Sequence, residues 1–289
     1  MPKLKSGKQE VAGRTYNYKI SRLVESLDPE AVHIVMPVRN SIEMTDVAIR
    51  CIKKYTNEPY VLWIVDDDSN QEMKEYLSLL EGVNVIYNTS GIGTWYQPRW
   101  MTKYRITFAN AVSLDLAAKI IKGKYMFVMH NDALPVKVGW LDYLKSKIND
   151  KVKIAGVSQD RARVNAVHVS GFLFDFELYE KLNLHFMHDM PIYDVGDFIT
   201  IGLRGNDYET FVCKNTFNNP ETLALVKDNP KYPEFVRNSP FDRCFNDDGE
   251  LIYMHLGRGT GRGGDAHHKE GYMKRSEWVE WVIKYFLSE

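Results

Sequence analysis

The chain has 289 residues, with 37 Lys and Arg against 38 Asp and Glu, 44% hydrophobic and 26% charged. Such a composition excludes an intrinsically disordered chain, a collagen-like repeat and a disulfide-stapled miniprotein. A formal net charge of −1 provides no whole-molecule field to gather nucleic acid or acidic lipid, so an anionic ligand has to be held by local groups.

Cys51, Cys213 and Cys244 stand far apart and form no C-x-x-C pair, which argues against a disulfide framework or a thiolate zinc site. No apolar run approaches the roughly 18 residues of a membrane span, and the basic start of the chain has no apolar signal core. A reducing, cytoplasmic setting is therefore expected.

Residues 1–29 read as a polar leader. The first apolar run, Val32 to Met36, is β-branched and ends in Pro37-Val38-Arg39-Asn40, which predicts a buried strand and a turn. A helix follows, with Met44, Val47, Ala48, Cys51, Ile52 and Tyr55 at spacings of three and four and with Asn40 and Glu43 as a capping box. Val61 to Val65 is the second strand. It runs into Asp66-Asp67-Asp68-Ser69, where Ser69 and Glu72 are expected to cap a helix carrying Met73, Tyr76, Leu77 and Leu80. A third strand spans Val83 to Tyr87, a long helix spans Arg105 to Ile121, and a strand from Tyr125 to Met129 ends in His130-Asn131-Asp132.

This alternation predicts an α/β chain with a mostly parallel central sheet flanked by helices, whose ligands sit at the carboxyl ends of the strands. A helix is expected from Gly139 to Ile148. From Val152 the pattern becomes mixed, with strand-like Val152 to Val157 and Val167 to Phe174, a helix-like Asp194 to Leu203, and a Gly-rich basic loop from Gly257 to Gly264. The last helix, begun by Ser276, aligns Trp278, Trp281, Val282, Tyr285 and Phe286. Without a Pro/Gly/Ser linker, residues 30–265 read as one domain of two halves, 30–135 and 136–265, with 266–289 as an amphipathic C-terminal helix.

Three consecutive carboxylates at a strand end repel one another unless a metal, a base edge or a helix N-terminus receives them; the plainer reading of Asp66 to Asp68 is a solvated helix start. Asp132 after an apolar strand suits an oxygen ligand for Mg²⁺ or Mn²⁺, or a structural turn. Asp194 and Asp197 fit either an acceptor-side base or a helix first turn. His185, His188 and Asp189 sit among Phe186, Met187 and Pro191 and read as packing residues, and His267-His268 as solvated loop. Trp95 to Arg105 interleaves aromatics with positive charge, which suits stacking of a sugar, a nucleobase or single-stranded nucleic acid, or a loop pinned on the core.

Taken in order, Val32 to Asn40, Val65-Asp66-Asp67-Asp68-Ser69, Gly123-Lys124-Tyr125 with Val128 to Pro135, and His255-Leu256-Gly257-Arg258-Gly259-Thr260 resemble the family 2 glycosyltransferases, enzymes of the GT-A fold, over roughly residues 30–257. The resemblance implies a nucleotide-diphosphate sugar donor, a hydroxyl-bearing acceptor and inversion; a rival reading has retention, and another has silent nucleotide-sugar or carbohydrate binding. It places Asp67 on the nucleobase with Pro37, Arg39 and Asp66 around it, and Asn131 and Arg105 on the donor. It implies that Asp132 holds Mn²⁺ or Mg²⁺ together with His255, that Arg258 and Arg262 grip the diphosphate, and that Asp197 is the base with Asp194 as alternative. His130 and Asn131 stand where many relatives carry acidic residues. A glycan or lipid-linked glycan is the acceptor the family implies; the Trp95 to Arg105 segment leaves a hydroxylated DNA base open.

Overall fold

Apolar β-branched runs form the strands, and segments with apolar residues every three or four positions form the helices. The computed structural model describes residues 4–21, 24–90, 105–161, 164–257 and 273–288, apart from the side chains of Arg105 and Ile106. The first half contains β1 (Lys5–Val11), β2 (Arg14–Ser21), β3 (Val32–Val38), α1 (Ile42–Tyr55), β4 (Tyr60–Asp66), α2 (Gln71–Ser78), β5 (Asn84–Asn88), α3 (Arg105–Ile120), β6 (Tyr125–Met129), β7 (Ala133–Pro135) and α4 (Trp140–Lys147). The second half contains β8 (Val152–Gly156), β9 (Gln159–Asp160), β10 (Ala166–Val167), β11 (Gly171–Asp175), α5 (Glu177–Lys181), α6 (Asp197–Arg204), β12 (Glu209–Val212) and β13 (Lys214–Asn215). It ends with α7 (Ala224–Lys227), α8 (Glu234–Asn238), β14 (Asp242–Phe245), β15 (Leu251–His255) and α9 (Arg275–Val282).

A nine-stranded sheet runs β1-β2-β5-β4-β3-β6-β11-β8-β12. Its centre, β5-β4-β3-β6, is parallel, and within the sheet only β2 and β11 run against the rest. The α/β architecture with a mostly parallel centre is therefore as expected. From β3 the chain steps outward to β4 and β5, then returns through α3 to place β6 on the other side of β3. That reversal opens a crevice between the carboxyl ends of β3 and β6, where open α/β sheets bind ligands.

Alternate strand residues feed opposite layers. Val32, Ile34, Met36 and Val38 of β3 pack with α1, α2 and α4, while Val35 joins Val61, Trp63 and Val65 of β4 beneath α3. A second, antiparallel sheet, β13-β14-β15-β7, sets His255 opposite both Ala133 and Asp242. Behind it, Trp278 and Val282 of α9 close a third cluster with Phe235, Phe241, Phe245 and the Met44 and Val47 of α1. No helix among the described residues is long and apolar enough to cross a membrane.

Local details differ from the sequence reading. The supposed leader supplies the β1–β2 hairpin: Tyr16 and Ile20 are buried in the α3 layer, while Lys8, Asn17 and Lys19 stay exposed. This alternation in a polar stretch is the mark of a half-buried strand pair. Asn40 does not cap α1. Its φ is 47°; its N–H donates to Ser69 Oγ at 3.1 Å and its Oδ1 accepts from Asn70 N–H at 2.7 Å, so it ties the turn after β3 to the turn after β4. The cap of α2 is accordingly Asn70, whose Oδ1 accepts from Met73 N–H at 3.0 Å, rather than Ser69. The expected strand from Val167 to Phe174 is split between β10 and β11, and α9 is capped from Lys274, whose N–H donates to Glu277 Oε2.

The core holds a buried carboxyl on α3. Asp115 of α3 is 2% exposed, and its Oδ1 accepts from Tyr179 O–H at 2.6 Å and from Phe186 N–H at 2.8 Å. Burial pushes its pKa up to about 6, against the pull of those two donors. A raised carboxyl stabilises the fold fully below its unfolded value near 4, and that contribution is lost as pH rises through about 6. Asp115→Asn removes the dependence. In urea titrations its stability relative to the parent is expected to improve by up to about 3 kcal/mol between pH 4 and pH 7; an unchanged difference would show that Asp115 does not titrate in this range.

Candidate active site

At the end of β4 the three aspartates take three different surroundings. Asp66 is fully buried, and its Oδ1 accepts from Ser69 N–H at 3.2 Å, holding the turn; burial raises its pKa. Asp68, at φ 49°, pairs with Lys74 on the surface at 2.9 Å. Asp67 is 5% exposed, faces the crevice, and lies 3.5 Å from Arg39 Nη1. Separation of the charges into a turn, a surface pair and a cleft relieves the repulsion that their adjacency in sequence implies.

The crevice is a cavity of about 330 Å³. Pro37, Val38, Arg39, Asp67, His130, Asn131, His168, Val169, Asp194 and Val195 line it. The wall opposite the strands is α3, through Thr107, Asn110 and Ser113. These polar residues recur every three positions, so they form one stripe on the helix. Ser113 Oγ and Asn110 Oδ1 are buried without a hydrogen-bond partner among the described residues, so the stripe offers polar groups to whatever enters the cleft. Asn131 is anchored from below by Nδ2 donating to Thr45 Oγ1 of α1 at 3.2 Å.

Between the ends of β6 and β15, His130, Asp132 and His255 bring ligand-type atoms within 4.8 Å of one another. Asp132 is 3% exposed. Its Oδ1 lies 3.5 Å from His255 Nε2 and 4.0 Å from His130 Nδ1, and His255 Nδ1 lies 3.6 Å from Asp242 Oδ2. Burial alone would lower the His255 pKa, but Asp132 and Asp242 on its two sides raise it to about 10. Each such pair is worth about 4 kcal/mol at an effective dielectric near 20, enough for two to overcome desolvation. His130 is pushed the other way by burial, against the pull of Asp132. The donor set, one carboxylate and two imidazoles converging from two strand ends, fits a divalent cation.

On the far side, Gly196 at φ 79° turns the chain into α6. The left-handed turn separates the two candidate bases. Asp197 is 2% exposed, with its Oδ2 accepting from Asp194 N–H at 2.8 Å; Asp194 itself lines the cavity. His185 packs its ring on Phe198 at 4.7 Å and His188 lies edge-on to Phe108, in keeping with packing roles. Arg105 begins α3, but its side chain is outside the description, and Arg258, Arg262, His267, His268 and the Trp95 to Tyr104 segment lie outside the described residues. The sequence reading had not singled out His130, Asp242, His168 or the α3 stripe as site residues. The period-three polar positions on the helix were the available signal for the stripe.

No protein family matches the sequence, and no curated protein matches it. Among solved structures, the mannosyltransferase PcManGT from Pyrobaculum calidifontis, in complex with GDP-Man and Mn²⁺, is similar at 16% identity and a TM-score of 0.47, over 64% of this chain and 56% of that one. S. aureus TarS 1-349 in complex with UDP-GlcNAc is similar at 12% identity and a TM-score of 0.48, over 90% of this chain and 68% of that one. The glycosyltransferase GlyE of Streptococcus pneumoniae is similar at 11% identity and a TM-score of 0.45, over 90% and 61%. The chain thus spans little more than half of the mannosyltransferase chain.

The local bonding predicts a difference in stability across the site. Asp197→Ala leaves the half-buried Asp194 N–H without its acceptor and is expected to cost about 1–2 kcal/mol in urea unfolding. Arg39→Ala, whose side chain is 43% exposed, should stay within about 0.5 kcal/mol of the parent. Equal losses would contradict this division between a structural and a cleft-facing charge.

Proposed function

We propose that the cleft binds a nucleotide-diphosphate sugar and transfers the sugar to an acceptor hydroxyl with inversion, assisted by a divalent cation. The observation that carries the reading is that the Arg39–Asp67 pair, His130 and Asp194 line one cavity, with Asp132 and His255 clustered beside His130. Such a cavity offers a base-binding carboxylate, ligand-type atoms for a diphosphate-bound cation and an acceptor-side carboxylate within one cleft. The resemblance to family 2 glycosyltransferases points the same way.

On this reading Asp67 accepts hydrogen bonds from the base, with Pro37 packing beside it and Arg39 holding its carboxylate in place. Thr107, Asn110 and Ser113 supply polar contacts along the opposite wall. His130, Asp132 and His255 would hold the cation, which neutralises the charge that develops on the leaving diphosphate. The acceptor oxygen attacks the anomeric carbon, the bond from that carbon to the phosphate oxygen breaks, and the hydroxyl proton passes to a carboxylate. Asp194 is the better-placed base because it lines the cavity. Asp197, the first choice from sequence, serves it indirectly by fixing the Asp194 backbone.

The test is a screen of nucleotide-diphosphate sugars with Mn²⁺ or Mg²⁺, reading release of nucleoside diphosphate and the anomeric configuration of the product. Asp132→Ala should abolish cation-dependent release. Asp194→Asn should keep donor binding and lower transfer by about 10²–10⁴-fold. A full rate in Asp194→Asn removes it as the base, a retained anomeric configuration removes inversion, and donor binding without turnover leaves a carbohydrate-binding protein.

A further inference from the structure

We propose that Cys213 and Cys244 form a modification site, a pair of thiols that a peroxide oxidises to a disulfide joining the two sheets. Neither residue lines the cleft, and the inference does not rest on the reaction proposed for it.

The pair forms where the chain passes from one sheet to the other. Cys213 directly follows β12, and its N–H donates to Gly156 O at 2.9 Å, which prolongs the β8–β12 pairing of the nine-stranded sheet. Its carbonyl accepts from Asn215 Nδ2 at 2.8 Å. The next two residues, Lys214 and Asn215, already belong to the second sheet as β13, and Asn215 stands opposite Cys244 of β14. Cys213 is thus fixed by the first sheet and Cys244 by the second. Across this seam the Cys244 S–H donates to the Cys213 sulfur.

Both residues are nearly sealed from water, at 2% and 3% exposure, in the layer that holds Leu173, Ile252 and Tyr253. A single buried cysteine behaves as a small apolar residue, but in a touching pair each sulfur is the other's resolving thiol. Cys51 provides the contrast. It is fully buried on α1 in a separate cluster, and burial pushes its pKa up to about 12.

Burial, with the bond to Cys213, holds the Cys244 thiol in its protonated form, so the first step of oxidation is slow and the second is fast. In the first, a thiolate sulfur of the pair attacks the peroxide, the O–O bond breaks, and water departs to leave a sulfenic acid. In the second, the other thiol attacks that sulfur, the S–O bond breaks, and a second water departs. Two S–H bonds become one S–S bond, and their two electrons and two protons leave with one hydrogen peroxide as two waters. Contact between the sulfurs gives the second step a high effective concentration, so the sulfenic acid does not persist to be oxidised further. The half-buried Tyr143 lies beside both sulfurs and carries its hydroxyl out to the exposed Asp247, to which it donates at 2.8 Å; this is the short way in for a molecule of peroxide size. The resulting disulfide ties the nine-stranded sheet to the sheet that carries Asp242 and His255. Such a link restricts the unfolded chain more than the folded one, so the oxidised protein is the more stable form.

The test treats the reduced, desalted full chain with excess hydrogen peroxide and then unfolds it in the presence of a maleimide. The parent, which has three cysteines, is expected to take up three labels before treatment and one, on Cys51, after it. The intact mass should fall by two hydrogen atoms, a tryptic digest should contain a peptide joining Cys213 to Cys244, and dithiothreitol should restore the label count. The urea midpoint should move upward on oxidation and return on reduction. Cys51→Ser should keep all of these changes. Cys213→Ser and Cys244→Ser should each lose the cross-link, with far-ultraviolet circular dichroism reporting that the variant is folded; the peptide map of the parent remains decisive where a variant does not fold. Sulfinic acid on either sulfur without a cross-link, a bridge that includes Cys51, or three labels surviving both peroxide and diamide would each overturn the proposal. A cross-linked peptide with an unchanged urea midpoint would overturn the joining of the sheets.

Discussion

Asp132 is a carboxylate almost wholly withdrawn from water, and a charge in that position persists only beside an opposite charge. His255 is the nearest group able to provide one, and it arrives from a strand far along the chain through the antiparallel match of His255 with Ala133. The histidine in turn is braced by Asp242 on the neighbouring strand. A carboxylate–imidazole–carboxylate row across β7, β15 and β14 is thus set by sheet register, and a one-residue slip of β15 would turn His255 to the opposite face. His130 stands beside this row, and Asn110 of α3 lies against its ring.

Much of this was legible in the sequence because it depends on local pattern. The strand from Tyr125 to Met129 has the bounds that its apolar run implies, and Asp67, Asp132 and His255 stand out as polar residues closing apolar strands. Other features depend on partners distant in the chain. Asn40 has the composition of a cap, yet its bonds to Ser69 and Asn70 outcompete that local use. Asp194 and Asp197 are equivalent in pattern, and only the left-handed turn at Gly196 decides which faces the cleft. His130 looked like the loss of a carboxylate. It gains meaning only when Asn110, one turn along a helix that precedes β6, is seen behind its ring.

The near-zero net charge also acquires a spatial sense. Groups of opposite sign are set side by side: Arg39 with Asp67, and His255 between Asp132 and Asp242. A ligand binds there by displacing or joining specific pairs, which favours discrimination over speed of capture.

The β1–β2 hairpin carries one more consequence. Pairing of β2 with β5 makes β5 an interior strand, and the outermost strand becomes β1, with Lys5 and Lys8 exposed along it. Charged residues on a terminal strand discourage edge-to-edge association of sheets. Clipping the hairpin would therefore do more than shorten a polar end: it would bare the hydrogen-bonding groups of β5 and uncover the α3 surface that Val11, Tyr16 and Ile20 now shield. The shielding of β5 and of the α3 surface thus depends on the segment nearest the start of the chain.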